Sequence, residues 1–262
     1  MIKELLKRPI FQKATFVFLF MVVWELTARS AVFPVLLFPP FTAVIRAFAA
    51  GVFNGDLLIK TWFSLFMIFK GLFFSLLAVL FLSYLGVLFP FVGNILETLI
   101  SIFDPLPGIA LLPIAMLWFG ISEASIIFII LHSVIWPMLL NFMTGFKSVP
   151  PIYLDVGRNM ELTKAKLLLN IMIPASFPYI IAAFKIGWAR AWRAVIAVEM
   201  VFGAASGTTG GLGWHIYTTR YFCDIEGTFA ALIAIVIIGM LFEEIIFKTL
   251  ERFTVKKWGM GI

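Results

Sequence analysis

The sequence predicts an all-α integral membrane protein of about six transmembrane helices, and three observations carry that prediction. Hydrophobic residues make up 62% of the 262 and charged residues only 13%, against roughly 25% charged in an ordinary soluble domain. A soluble chain of this size could not hide that much apolar surface in one core. The uncharged runs 71–96 and 124–146 are each long enough to cross about 30 Å of hydrocarbon as a helix. Helix is the default there because backbone groups in lipid must pair within their own segment. Finally, residues 150–174 form a polar, mixed-charge island between two apolar stretches, which no membrane span requires.

Taken in chain order, the first span covers about 12–31, after the basic cluster Lys3, Lys7, Arg8 and Lys13. Glu25 and Arg29 follow without a small-x-small cleavage site, so the segment is expected to be retained rather than removed as a signal peptide. Segment 40–54 is apolar with Arg46 and ends at Asn54-Gly55-Asp56, which reads as a helix lying across the outer surface. The second span covers about 63–89, with Lys70 near its start, and the third about 94–119, broken by Pro105, Pro107 and Pro113. Those prolines free backbone carbonyls that neighbours or water must satisfy. The fourth span covers about 123–145.

Lys147 and the Pro150–Pro151 pair then stop the helix. The island carries Asp155, Arg158, Glu161, Lys164 and Lys166, and helical spacing would set Asp155, Arg158 and Glu161 near one another. The pattern is that of a short helical protrusion at one membrane surface. The fifth span covers about 175–203 and the sixth about 227–247, where Glu243 and Glu244 are expected to meet Lys248. One transmembrane domain thus takes in residues 1–262, with a loop at about 147–170.

Lysine and arginine set the orientation. Basic residues concentrate in the N-terminal tail, in the loop with Lys147, Arg158, Lys164 and Lys166, and in the tail with Lys248, Arg252, Lys256 and Lys257. An even number of spans puts all three on one side, expected to be the cytoplasm, with both termini there. The other side holds Arg29, Arg46, Lys60 and Arg220. This topology accounts for the net charge of +6 and calls for no nucleic-acid partner.

Catalytic signals are absent. Cys223 is alone, so no internal disulfide forms, and it has no matched His and acid. His132, inside the fourth span, reads as a packed or interhelical hydrogen-bonding residue. No metal-ligand spacing and no phosphate-cradling Gly-rich loop occurs, so the chain is expected to be no enzyme. Active transport would take its energy from a partner or an ion gradient.

The island resembles the cytoplasmic loop of the inner-membrane permease subunits of bacterial ABC importers, E-A-A, three residues, G, nine residues, I-x-L-P. Asp155, Val156 and Gly157 stand at E-A-A and Glu161 at the glycine, and Ile171-Met172-Ile173-Pro174 ends in register. The rest of the chain is similar to one branch of those permeases, serving sulfonates, taurine, nitrate, bicarbonate and related solutes. The similarity rests on Trp24-Glu25-Leu26, Leu37-Phe38-Pro39-Pro40, Asp104-Pro105-Leu106-Pro107, Leu112-Pro113 and Leu117-Trp118-Phe119-Gly120. It continues through Glu199-Met200, Gly210-Gly211-Leu212-Gly213 and Leu250-Glu251-Arg252 with Trp258. Glu161 departs from the motif. A glutamate strains a turn that glycine adopts freely, so either the turn is made differently or the partner's groove is altered.

The resemblance implies the type I ABC importer permease fold with a cytoplasmic coupling helix. It implies ATPase coupling through Asp155, Val156, Gly157, Arg158, Glu161, Leu162 and Pro174. The implied partners are two ABC ATPase subunits, a second permease copy (a homodimer), a periplasmic or lipoprotein solute-binding protein, and membrane lipid. No cofactor is expected on this chain, with ATP and Mg on the partner ATPase. The glycine-rich stretch 203–213 resembles the outer loop between spans five and six, where a re-entrant turn or a lid fits.

The implied translocation pathway should be lined by polar groups that are costly in lipid, and Asp104, Lys185, Arg190, Arg193 and Glu199 are the candidates. Lys185, Arg193 and, less closely, Arg190 share a helical sector, and Glu199 lies nearer the outer end. Two readings stand: a basic lining for an anionic solute with Glu199 paired to a basic residue, or interhelical ion pairs that only position the span. The competing function is an ion-driven secondary carrier or channel without an ATPase partner, which needs no docking island.

Overall fold

The computed structural model describes residues 9–30, 32–34, 36–202 and 210–254. Lys3, Lys7, Arg8, Lys256, Lys257, Trp258 and residues 203–209 of the glycine-rich stretch lie outside them. Among the described residues every regular element is helical. Four helices are long and apolar enough to cross a membrane, and two bent helix pairs bring the number of candidate spans to six.

The first span is α1 (Pro9–Arg29), followed by α2 (Phe41–Phe53), the expected surface helix. Two separate sequence motifs join them. Trp24 donates from Nε1 to the Pro39 carbonyl at 3.0 Å and stacks on Phe38 at 5.6 Å. Glu25 accepts from the Thr42 amide and from Thr42 Oγ1, both at 3.0 Å. The carboxylate thereby answers an unpaired N–H in the first turn of α2, where the helix dipole favours negative charge. Gly55, with φ of 79°, then turns the chain into α3 (Asp56–Leu88), a 33-residue span.

The expected third span is two half-helices, α4 (Pro90–Phe103) and α5 (Leu112–Phe119), linked by a 3₁₀ turn at Gly108–Leu111. The halves are bent by 88° at the proline-rich break. Next comes α6 (Glu123–Lys147), then the island as α7 (Pro151–Asn159) and α8 (Lys164–Leu167). A π-turn at Leu168–Met172 and a short α9 (Ile173–Ala175) lead into α10 (Phe177–Phe202). This bent pair turns by 75°. Next α11 (Leu212–Tyr221) precedes α12 (Ile225–Leu241), whose helix continues through a π segment at Phe242–Phe247 into α13 (Lys248–Phe253).

The core is the α6–α10 pair, backed by α3, and α6 alone buries fourteen residues. Small residues let the backbones close. A Cβ on Gly145 would sit 2.8 Å from Tyr179 Cβ and 2.9 Å from Ser176 Cβ, and Gly187 meets Met138 Sδ at 2.8 Å in the same way. Packing of this kind replaces the hydrophobic drive that lipid cannot supply between helices. Exposed apolar side chains such as Phe16, Phe18, Phe81 and Leu117 cover the perimeter, as a lipid-facing surface requires.

Replacing Gly145 by Ala should cost about 1–3 kcal/mol by overpacking, read as a lower melting temperature in detergent. Gly86→Ala, whose nearest neighbour is the mobile tip of Leu96 at 3.3 Å, should be close to neutral.

Candidate functional site

The polar island folds as a compact knuckle. Pro150 and Pro151 open α7, where a missing N–H costs nothing. Asp155 and Arg158 pair at 3.0 Å on its exposed face. The helix closes with two crossed hydrogen bonds, Leu162 N to Gly157 O at 3.1 Å and Glu161 N to Arg158 O at 2.9 Å. Such a closure places the residue after the cap in the left-handed region, and Glu161 stands there with φ of 55°. The glycine turn is therefore made in the usual way, at the expense of a strained glutamate.

Gly157 is buried at the base of the knuckle, where a Cβ would fall 2.5 Å from Leu167 Cδ1 and 2.6 Å from Ile171 Cδ1. α7 thus lies directly on the segment that leads to Pro174 and α10. Thr163 caps α8, accepting from the Lys166 amide at 3.4 Å. Lys164 reaches back to the Leu88 carbonyl at 3.2 Å, and Lys147 pairs with Glu97 at 2.5 Å. The outer face of α7 carries Ile152, Tyr153, Val156 and Met160, all at least 49% exposed, beside the Asp155–Arg158 pair. That is an apolar patch with a polar rim on a surface helix, the composition of a docking face.

The intramembrane polar residues divide into three groups. Asp104, Arg190 and Arg193 come together around a cavity of about 440 Å³, walled by the break in the third span, by α6 and by α10. Asp104 Oδ1 lies 3.5 Å from Arg190 Nη2, an ion pair too long for a direct hydrogen bond. Arg193 donates from Nε to the Ala189 carbonyl of its own helix at 2.9 Å. His132, Ser133 and Trp136 of α6 complete the polar lining, and Phe103 stacks on Trp136 at 4.9 Å.

Lys185 is not in that lining. It pairs with Glu243 at 3.2 Å, beside a stack of Trp188 on Phe242 at 3.7 Å, and so fastens α10 to the π segment after α12. Glu244 pairs with Lys248 as expected.

Glu199 is fully buried, and the basic partner expected for it is replaced by neutral donors. Ser64 Oγ lies 2.9 and 2.8 Å from its two carboxylate oxygens, and the Gly213 amide donates to it at 3.0 Å. The Leu212 amide donates to Ser64 Oγ at 3.0 Å. The carboxylate therefore caps the start of α11 and ties it to α3 and α10. A Cβ on Gly211 would fall inside this carboxylate, which is why the glycine-rich stretch and Glu199 belong to one structure. The reason for the difference is distance along the chain: Ser64 lies 135 residues from Glu199, beyond any local pattern.

His132, Ser133 and Trp136 were not among the expected pathway residues. An ionisable residue inside a span is a functional signal by itself, and His132 offered it. Of the two roles expected for it, His132 takes the packed one, edge-on to Phe103 and Trp136, and its two ring nitrogens meet no hydrogen-bond partner among the described residues.

Glu161→Gly should relieve the left-handed strain and raise stability by about 1 kcal/mol, measured as a higher melting temperature. Ser64→Ala, which leaves Glu199 and the Leu212 amide short of partners, should lower stability by about 1–3 kcal/mol in the same assay.

Residues 78–256 match the family described as binding-protein-dependent transport system inner membrane component. An ABC transporter permease candidate of Methanocaldococcus jannaschii is 30% identical over 226 residues, 85% of this chain and 83% of the relative. The taurine transport permease TauC of Escherichia coli is 27% identical over 233 residues, covering 87% of this chain and 83% of TauC. The nitrate import permease NrtB of Synechocystis is 33% identical over 156 residues, 60% of this chain and about half of that relative, 55%. The all-α architecture with its candidate spans is that of a type I ABC permease. The chain belongs to the binding-protein-dependent transport system inner membrane component family and is a non-catalytic ABC importer permease of the nitrate, taurine and bicarbonate branch.

Proposed function

We propose that this permease works as one of two identical copies around a shared pathway, driven by two ATPase subunits that bind ATP and Mg. This chain itself binds no cofactor. The exposed face of α7 carries the reading: an apolar patch of Ile152, Tyr153, Val156 and Met160 on a polar loop fits a protein groove better than water. Asp155 and Arg158 rim that patch. Glu161 and Leu162 form the turn that holds α7 in place, and Val156 lies within the contact face. Pro174 stands at the bend into α10, so that a pull on α7 is passed to a span that lines the cavity.

In this reading the island faces the cytoplasm with both termini, as the concentration of Lys147, Arg158, Lys164 and Lys166 on one side favours. Closure of the ATPase pair on ATP draws the two knuckles together and turns the pathway from inward-open to outward-open. A periplasmic or lipoprotein binding protein delivers the solute to the other face, where α2 and α11 lie. The solute is small and anionic or zwitterionic, of the class of a sulfonate, taurine, nitrate or bicarbonate. Asp104, Arg190 and Arg193 supply the pathway's polar lining, while Lys185 and Glu199 hold the lining helix through its two ends.

A cysteine placed at Val156 or Arg158, in a chain whose Cys223 is replaced by Ser, should cross-link to a co-purifying ATPase in inverted vesicles. A stable permease dimer that moves solute down an ion gradient with no ATPase attached would overturn the reading. So would labelling of position 158 by an impermeant thiol reagent added outside intact cells.

A further inference from the structure

The cavity beside the third-span break holds a set of polar groups left unanswered. Among the described residues, Asp104 Oδ1, both ring nitrogens of His132 and Trp136 Nε1 are buried without a hydrogen-bond partner. His132 is only 8% exposed. Buried polar atoms are partnered in the great majority of cases, so their gathering in residues that wall one space is unusual, although these atoms lie behind the cavity surface and the groups that face it as donors are the two arginines. Ser133 spends its hydrogen on the Ile129 carbonyl at 2.8 Å and offers only lone pairs to that space. Arg193 uses Nε on its own helix, and among the described residues its terminal nitrogens meet no carboxylate.

Charge decides the ligand class. Two guanidinium groups and one carboxylate line the cavity, a formal net charge of one positive from the three. A ligand with one negative charge balances that lining. A neutral one leaves the excess in place, and a doubly charged one overshoots it beside Asp104. The planar guanidinium fork favours oxyanions that accept two parallel bonds.

The Asp104–Arg190 contact fits the same picture from the protein's side. It is a carboxylate held 3.5 Å from a guanidinium with no hydrogen bond, an incomplete version of the bidentate pair that a free oxyanion would make. Asp104 is the capping residue at the C-terminus of α4, at the point where the span bends by 88°.

We propose that this cavity is a solute-binding site of the permease for a single small monoanion, and that Asp104 stands in for that anion when the site is empty. An incoming sulfonate, nitrate, bicarbonate or carboxylate head takes Arg190 from Asp104, with Arg193 completing its shell. The released Asp104 frees the end of α4, which links occupancy to the break. This rests on the reading of the chain as an importer permease with its pathway along α10.

Full-length permease in lipid nanodiscs, without binding protein, should bind radiolabelled methanesulfonate saturably. Nitrate should compete, the neutral isostere dimethyl sulfone should not, and sulfate should be at least about 10-fold weaker. Arg190→Gln should weaken binding at least about 10-fold. Asp104→Asn, which keeps the shape but removes the competing charge, should tighten it several-fold, a gain that misfolding cannot produce. Arg46→Gln on the surface helix should change nothing. The proposal is overturned by absence of saturable binding, by equal competition from dimethyl sulfone, or by weaker or unchanged binding in Asp104→Asn. It is overturned too if taurine binds more tightly than methanesulfonate, because an ammonium group would make Asp104 a ligand. Loss of ATPase co-purification with anion binding intact would instead sink the importer reading alone.

Discussion

Hydrocarbon offers no hydrogen bonds, so every ionisable group within a span must find its partner in the protein. That constraint organises this bundle. Lys70 meets Glu123 at 2.7 Å, Lys185 meets Glu243, and Glu199 takes its donors from Ser64 and Gly213. The Lys70, Lys185 and Ser64 contacts join helices 53 or more residues apart in sequence, and the Gly213 contact joins two consecutive ones. Among the described residues, the answer is incomplete around Asp104 and Arg190 and at His132 behind them. The same rule that stiffens most of the structure therefore singles out the part left open.

The stiff parts form a connected path. α6 and α10 touch at backbone distance through Gly145 and Gly187, and α10 begins immediately after the bend that follows the island. The knuckle itself packs on this segment through Gly157, and its closing turn keeps Glu161 in a left-handed conformation. A strained residue persists only where its surroundings over-determine it. Here the surroundings are the two crossed hydrogen bonds and the Leu162 side chain against Gly157. Movement of α7 in the proposed mechanism is consequently movement of α10, whose middle turns carry Arg190 and Arg193.

Motif residues that look scattered along the chain prove to be contacts. Trp24-Glu25 and Phe38-Pro39 meet at the start of α2, and Glu199 meets Gly211 and Gly213 at the start of α11. In both cases a carboxylate from a span caps the start of a shorter helix. These short motifs are thus the two ends of single interactions, and substitution at one end alone leaves the other without a partner.

The membrane as solvent, the number of spans, the surface helix after the first span and the knuckle with its motif spacing all follow from composition, run length and proline placement. These are properties of a residue and its near neighbours, and the physics that sets them acts over a few turns of helix. The same local information placed Asp155 beside Arg158 and Glu244 beside Lys248. It gave no partner for Glu199 other than a generic basic residue, grouped Lys185 with Arg193, and passed over Trp136. Those outcomes depend on how each helix is rotated against its neighbours and on contacts such as Ser64 to Glu199 across 135 residues. Helical periodicity says which side chains share a face, but only packing decides what that face meets.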